Sequence, residues 1–243
     1  EEIDRYILAR YAQVATKMLD EYRNYNWAAV CTALQTFATV DLSAFYADVT
    51  KDRMYTFRVD GRERRSAQTT MYLMADGLTR LVAPVLSFTA DEAWRFLPGA
   101  RDESVHIAVF PKRDDLTPFV DEGLVERWTR LLAIREQVLA RIEPLRKDKV
   151  IGSSLQAKVV LDVPAADMAL LERYRADLPM LFIVSEVELR KGAGDAPQVT
   201  IERAGGVKCE RCWRYVPAVS SEPAWAGICP RCQDALQPGD QAA

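Results

Sequence analysis

Two short clusters near the C-terminal end of the chain hold the residue types with the most specific chemistry. Lys208-Cys209-Glu210-Arg211-Cys212-Trp213-Arg214-Tyr215 carries one C-x-x-C pair, and Ile228-Cys229-Pro230-Arg231-Cys232 carries a second. The spacing lets both sulfurs of a pair point at one centre, and two pairs separated by residues 213–228 fall in the range of zinc-binding knuckles. Four thiolates complete a tetrahedral shell and leave no open position for water or substrate. The centre expected here is therefore structural: one Zn2+ held by Cys209, Cys212, Cys229 and Cys232. A redox role would need a thioredoxin-like strand and helix beside the pairs, and none is evident in the flanking sequence.

Basic and aromatic residues crowd the first pair. Trp213 can stack on an unpaired base, a contact worth about 1–3 kcal/mol, while Lys208, Arg211 and Arg214 can hold phosphates. The alternative is that Trp213 packs over the cysteine cluster and the charges are merely solvated. Both readings stay open at this point. A second basic group, Lys51, Arg53, Arg58, Arg62, Arg64 and Arg65, spans a helix end, a turn and the next helix start. Local pairing and the helix dipole account for part of it without any ligand. Arg141, Arg146, Lys147 and Lys149 form a third group.

The totals limit these readings. The 32 basic and 35 acidic side chains nearly cancel, so a nucleic-acid partner must be met by a local patch rather than by global charge. Histidine-dependent acid–base catalysis would rest on His106 alone. No run approaches the roughly 18 apolar residues of a membrane span, so no membrane partner is expected. Reduced cysteines held by metal fit the cytoplasm, and Glu1-Glu2-Ile3-Asp4-Arg5 lacks the pattern of a signal peptide. The first residue is not Met and helical spacing begins at once, as expected of a fragment of something longer.

The elements that must position these groups can be read in order. Ile3, Tyr6, Ile7, Val14, Met18 and Tyr22 recur at helical spacing. Trp27, Val30, Cys31, Leu34, Phe37, Leu42, Phe45 and Val49 predict a second helix capped by Asn26, with Cys31 as a small buried hydrophobe. A third helix runs from about Arg64 to Pro84, and Thr89 with Glu92 has the form of a capping box opening a short fourth. Val105 to Phe110 reads as extended, and a long helix from Asp121 should kink or stop at Pro144. Beyond Lys149, alternation over Leu155–Asp162 predicts a strand. A short helix over 165–175, an extended stretch over 182–189 and a strand over 199–201 follow it. The fold class is mainly α: a helical bundle over 1–148, a small α+β domain over 149–204, a four-cysteine module over 205–236 reached through Gly205-Gly206, and a fraying tail over 237–243.

Several stretches carry a family resemblance. Thr39-Val40-Asp41-Leu42-Ser43-Ala44-Phe45-Tyr46, Lys51-Asp52-Arg53-Met54-Tyr55, Arg64-Arg65-Ser66-Ala67-Gln68-Thr69 and Ala83-Pro84-Val85-Leu86-Ser87-Phe88-Thr89-Ala90-Asp91-Glu92 resemble the anticodon-binding helical domain of class I aminoacyl-tRNA synthetases. Ile151-Gly152-Ser153-Ser154-Leu155-Gln156 and the terminal Lys-Cys-Glu-Arg-Cys-Trp extend the likeness to the C-terminal part of the bacterial isoleucyl-tRNA synthetase family, with Gln156 where many members carry Glu. The helical motifs alone would equally fit the valyl, leucyl or methionyl enzymes.

The resemblance implies ATP-dependent attachment of isoleucine to its tRNA in the parent protein, with ATP and Mg2+ confined to a catalytic domain absent here. A His-x-Gly-His signature needs two histidines, and no Lys-Met-Ser-Lys-Ser occurs. The role implied for this chain is to grip tRNA(Ile) on its anticodon stem-loop side, as a monomer. Lys51, Arg53, Arg64, Arg65, Lys208, Arg211, Trp213 and Arg214 are the candidate contacts, and the four cysteines match the family's zinc ligands one for one. A zinc-stabilised protein-interaction module without RNA binding is the reading from another class.

Overall fold

The computed structural model of the protein describes residues 1–237; the tail expected over 237–243 thus lies, from residue 238, outside the described residues. The chain forms two compact units. One comprises residues 1–48 and 62–125, the other residues 49–61 and the chain from 126 onward.

The first unit is helical. Helix α1 (Glu2–Arg23) buries Ile3, Tyr6, Ile7, Tyr11, Ala15 and Met18 along one stripe, the three- and four-residue recurrence of an amphipathic helix. The next helix is continuous but not uniform: α2 (Trp27–Thr36) passes into a π-helical stretch, Phe37–Ala47, and then into α3 (Asp48–Thr56). As expected, Asn26 caps it, its side chain accepting from Ala29 N at 3.3 Å.

The wider i→i+5 turn is what periodicity did not predict, and it has a packing use. Phe37 and the pair Phe45–Tyr46 are buried on one face two turns apart. Phe37 meets Tyr11 with ring centroids 6.4 Å apart, Phe45 meets Tyr6 edge-on at 6.0 Å, and Tyr46 Oη donates to the buried Asp4 at 2.6 Å. Cys31 is exposed rather than buried. Val30, Ala33 and Phe37 take the inward face, and Cys31 sits about a quarter-turn away from Val30. Trp27–Thr56 is long and apolar enough, by length and average composition, to cross a membrane, but Thr32, Gln35, Thr39, Asp41 and Ser43 interrupt it, so it holds no run of about 18 apolar residues.

Helix α4 (Arg62–Val82) packs on α1 through Ala67, Thr70, Met74, Gly77 and Leu81. Gly77 faces Tyr11 so closely that a Cβ there would run into the phenol ring. Helix α5 (Ser87–Phe96) begins before the expected capping box: Ala90 N already donates to Leu86 O at 2.8 Å, so Thr89 lies inside the first turn. Residues 105–110 do not form a strand. Val105–Ile107 is a 3-10 turn, held by His106 N donating to Ser104 Oγ at 3.3 Å, with Val105 buried beside Ala83, Ala90 and Trp94. Helix α6 (Arg113–Leu116) and a 3-10 turn, Thr117–Phe119, complete the unit before α7 (Glu122–Lys147) starts.

Most of α7 belongs to the second unit, where Trp128, Leu131, Ile134, Val138 and Ile142 form its buried stripe. Pro144 does not stop it. The proline is exposed, and Asp148 N donates to its carbonyl at 2.9 Å. The stop comes at Lys149, whose φ of 58 reverses the chain.

Strand β1 (Ala157–Val163) lies between β2 (Glu186–Lys191), parallel to it, and β3 (Gln198–Arg203), antiparallel to it. Helices α8 (Ala165–Arg173) and α9 (Leu178–Leu181) make the crossover that a parallel pair requires. Phe182 is buried ahead of β2 rather than within it, after α9 has turned the chain. The crossover helices are tied to α7 by Arg130, which grips Asp167 of α8 at 2.8 and 2.5 Å, and by the buried Arg135, whose Nε donates to Leu181 O of α9 at 2.8 Å.

Candidate metal centre and nucleic-acid face

The cysteine module opens at Gly206, whose φ of 85 is left-handed and whose missing Cβ would otherwise strike the carbonyl of Val216. That turn starts a two-stranded ribbon, β4 (Val207–Lys208) against β5 (Tyr215–Val216). Between the strands, Cys209 N donates to Arg214 O and Trp213 N to Cys209 O, both at 2.9 Å. These two bonds fold residues 209–214 into a tight knuckle. Trp213 closes it with a φ of 63, unusual for a side chain of this size. The second knuckle opens α10 (Pro230–Leu236), with Pro230 in its first turn and Cys229 at its N-cap.

The four sulfurs are buried and lie within 4.8 Å of one another. Cys209 Sγ is 3.9 Å from Cys232 Sγ, and Cys212 Sγ is 3.9 Å from Cys229 Sγ. A disulfide needs about 2.05 Å, whereas a zinc–sulfur distance of about 2.3 Å in a tetrahedron puts sulfurs about 3.8 Å apart. The donor set fits Zn2+. Burial pushes the Cys209 thiol up, but the backbone N–H groups of Cys212, Cys229 and Arg211 outweigh it and bring its pKa down to about 6. Burial raises Cys212, and raises Cys232 to about 12. At Cys212 and Cys232 burial thus favours the thiol unless a cation shares the pocket.

The surrounding arginines are turned to internal work. Arg231 forks onto Asp52 of α3 at 2.6 and 2.9 Å and lies 5.0 Å over the Phe57 ring. Arg214 pairs with the same carboxylate at 3.2 Å and donates to Val184 O at 3.3 Å. Arg211 donates to the carbonyls of Thr56 and Tyr55 at the end of α3. Burial opposes ionisation of Asp52, yet hydrogen bonds and charge from Arg231, with Arg214 beside it, hold its carboxyl below the usual range.

Trp213 does not cover the cysteines. It is 60 % exposed, and the apolar cover comes from Val216, Val219 and Ile228. Lys208 is also exposed, with Nζ 5.5 Å from the indole centroid. Among the other candidate contacts, Lys51 is exposed and Arg53 is buried on α3 of the same unit; in the first unit, Arg65 is exposed and Arg64 half-buried. Gln156 Oε1 accepts from Gly152 N at 2.7 Å, closing the loop before β1, and its amide reaches Tyr215 Oη at 3.4 Å.

Asp52 was not among the sequence candidates, and its partner Arg231 stood there only as a member of the second cysteine cluster. The available signal was an arginine immediately before the second cysteine of each pair, Arg211 and Arg231. A repeated position asks for a shared partner, but only the folded chain shows that both reach α3.

Residues 4–161 match the model of the anticodon-binding domain of tRNA ligase. The chain belongs to that family. Residues 206–235 also match a zinc finger found in FPG and IleRS. It is 45 % identical to the isoleucine–tRNA ligase of Syntrophotalea carbinolica, over 95 % of the chain and 26 % of that protein. It is 41 % identical to that of Geobacter sulfurreducens, over 97 % and 26 %. The ligase of Staphylococcus epidermidis is 37 % identical over the same shares. The chain thus spans about a quarter of the length of the isoleucine–tRNA ligases it matches.

Proposed function

We propose that this chain is the tRNA-gripping part of an isoleucine–tRNA ligase, acting in the cytoplasm as part of a monomeric enzyme. Residues 1–148 face the anticodon side, 149–204 carry the connecting sheet, and 205–236 form a terminal cap. Cys209, Cys212, Cys229 and Cys232 hold one Zn2+, which supplies folding free energy and no open coordination site. ATP-dependent charging of tRNA(Ile) with isoleucine belongs to the portion of the ligase outside this chain.

The observation that carries this reading is the pairing of an exposed indole with an exposed ammonium group on a closed cysteine knuckle. Trp213 is offered outward by its left-handed backbone, where a splayed base can stack on it. Lys208 beside it, Lys51 on α3 and Arg65 on α4 are exposed cations suited to phosphates. Arg211, Arg214 and Arg53 serve the frame that holds those groups.

Competition binding of a tRNA(Ile) transcript and one with a substituted anticodon loop tests this function. The zinc-loaded chain should bind the first at least several-fold more tightly. No detectable binding to either at low salt would favour the zinc-stabilised protein-interaction module instead.

A further inference from the structure

Each cysteine knuckle places the arginine before its second cysteine on the same target. Arg211 reaches the carbonyls of Tyr55 and Thr56, and Arg231 forks onto Asp52, with a further contact to Thr56 Oγ1 at 3.3 Å. All of these acceptors lie in the last turns of α3. The final carbonyls of a helix have no partner within it, and a guanidinium placed there satisfies them and complements the dipole. Thr56 Oγ1 in turn donates to Asp52 Oδ1 at 2.6 Å, closing the turn on itself.

The same two side chains are carried by the knuckles themselves, each on the residue just before a cysteine of the buried cluster, Cys212 and Cys232. Each arginine therefore links its own knuckle to the helix end. Four thiolates around one Zn2+ leave a net negative charge, which two guanidiniums are placed to offset. Without metal, the sulfurs lose the common centre that fixes the two knuckles, and the arginines lose their anchor.

We propose that Asp52 is a positioning residue through which metal occupancy of the cysteine cluster sets the order of the end of α3. With metal bound, Arg211 and Arg231 cap and clamp residues 52–58. On metal release that turn frays, taking with it the support for Lys51 and for the Trp213–Lys208 face. The inference rests on the zinc assignment proposed above and gives the zinc a second role, communication with a helix more than 150 residues earlier in sequence.

Hydrogen exchange on the full chain tests it in three states: zinc-loaded, chelated, and zinc-loaded Asp52→Asn. Chelation should speed exchange over 52–58 roughly tenfold or more, together with 207–236. In Asp52→Asn that retains zinc, 52–58 should already exchange fast, and chelation should add little there while still opening 207–236. A merely structural Asp52 would leave the two effects additive. Arg231→Lys keeps the charge but not the fork, and should give an intermediate response with zinc retained.

If chelation opens 207–236 while 52–58 of the wild-type chain stays protected, the coupling does not exist, whatever the variants do. Anisotropy with a labelled anticodon stem-loop, run on the same samples, separates the two proposals. Absent RNA binding with intact coupling overturns the proposed function alone, and intact binding with no coupling overturns this inference alone.

Discussion

Replacing Trp213 with glycine should separate RNA contact from fold. The indole is 60 % exposed, which leaves roughly 100–150 Å² of a side chain of about 250 Å² free for a base. Removing a stacking aromatic costs about 1–3 kcal/mol per base, so affinity for the anticodon stem-loop should fall about 5- to 150-fold. Two effects on stability oppose one another. Glycine relieves a left-handed backbone position that costs a non-glycine residue about 1 kcal/mol, and it forfeits local packing and backbone entropy of about the same size. The thermal midpoint of the zinc-loaded chain should therefore move by less than about 5 °C. The assay is fluorescence anisotropy alongside differential scanning calorimetry. A midpoint lowered by more than about 10 °C with unchanged affinity would refute the reasoning and make Trp213 a core residue.

Two further outcomes follow from local geometry. Gly206→Ala forces a Cβ against Val216 O at a left-handed φ; it should cost about 2 kcal/mol or more and weaken zinc retention against a competing chelator, whereas Gly205→Ala, with no neighbour within 4 Å, should not. In the sheet, hydrogen bonds from Arg190, then Lys158, lower the Glu188 carboxyl to about 2. Since the folded value lies below the ordinary 4.5, its stabilising effect is full above that pH and is lost as pH falls toward 2. A carboxyl NMR titration should show that low midpoint and its upward return in Arg190→Ala; a wild-type midpoint near 4.5 would contradict it.

The long amphipathic helices were legible because burial on one face forces the 3.6-residue period: α1, α4 and α7 lie where their apolar residues recur. What was not legible depends on partners distant in sequence. The π-helical stretch is selected by Tyr6, Tyr11 and Asp4 of α1, and no local propensity announces it. Thr89 and Glu92 match a capping box, but Ala90 N finds the carbonyl of Leu86 first and the helix starts earlier. Pro144 sits on an exposed face, where a missing N–H costs little, so α7 runs past it to Lys147. Cysteine spacing alone pointed to the metal cluster, because two sulfurs per knuckle is a local constraint. The roles of Arg211, Arg214 and Arg231 were not readable from charge, since a guanidinium on a helix end and one on a phosphate look alike in sequence.

The central claim, that this chain grips RNA through a few exposed cations and an outward indole, is tested most directly by the salt dependence of stem-loop binding. With Lys208, Lys51 and Arg65 each neutralising one phosphate, the logarithm of the association constant should fall against the logarithm of salt with a slope of about −2 to −3. Affinity of the zinc-loaded chain for the tRNA(Ile) anticodon stem-loop should then drop roughly 15- to 60-fold between about 50 and 200 mM salt. A salt-independent affinity, or no binding at about 50 mM, would contradict it.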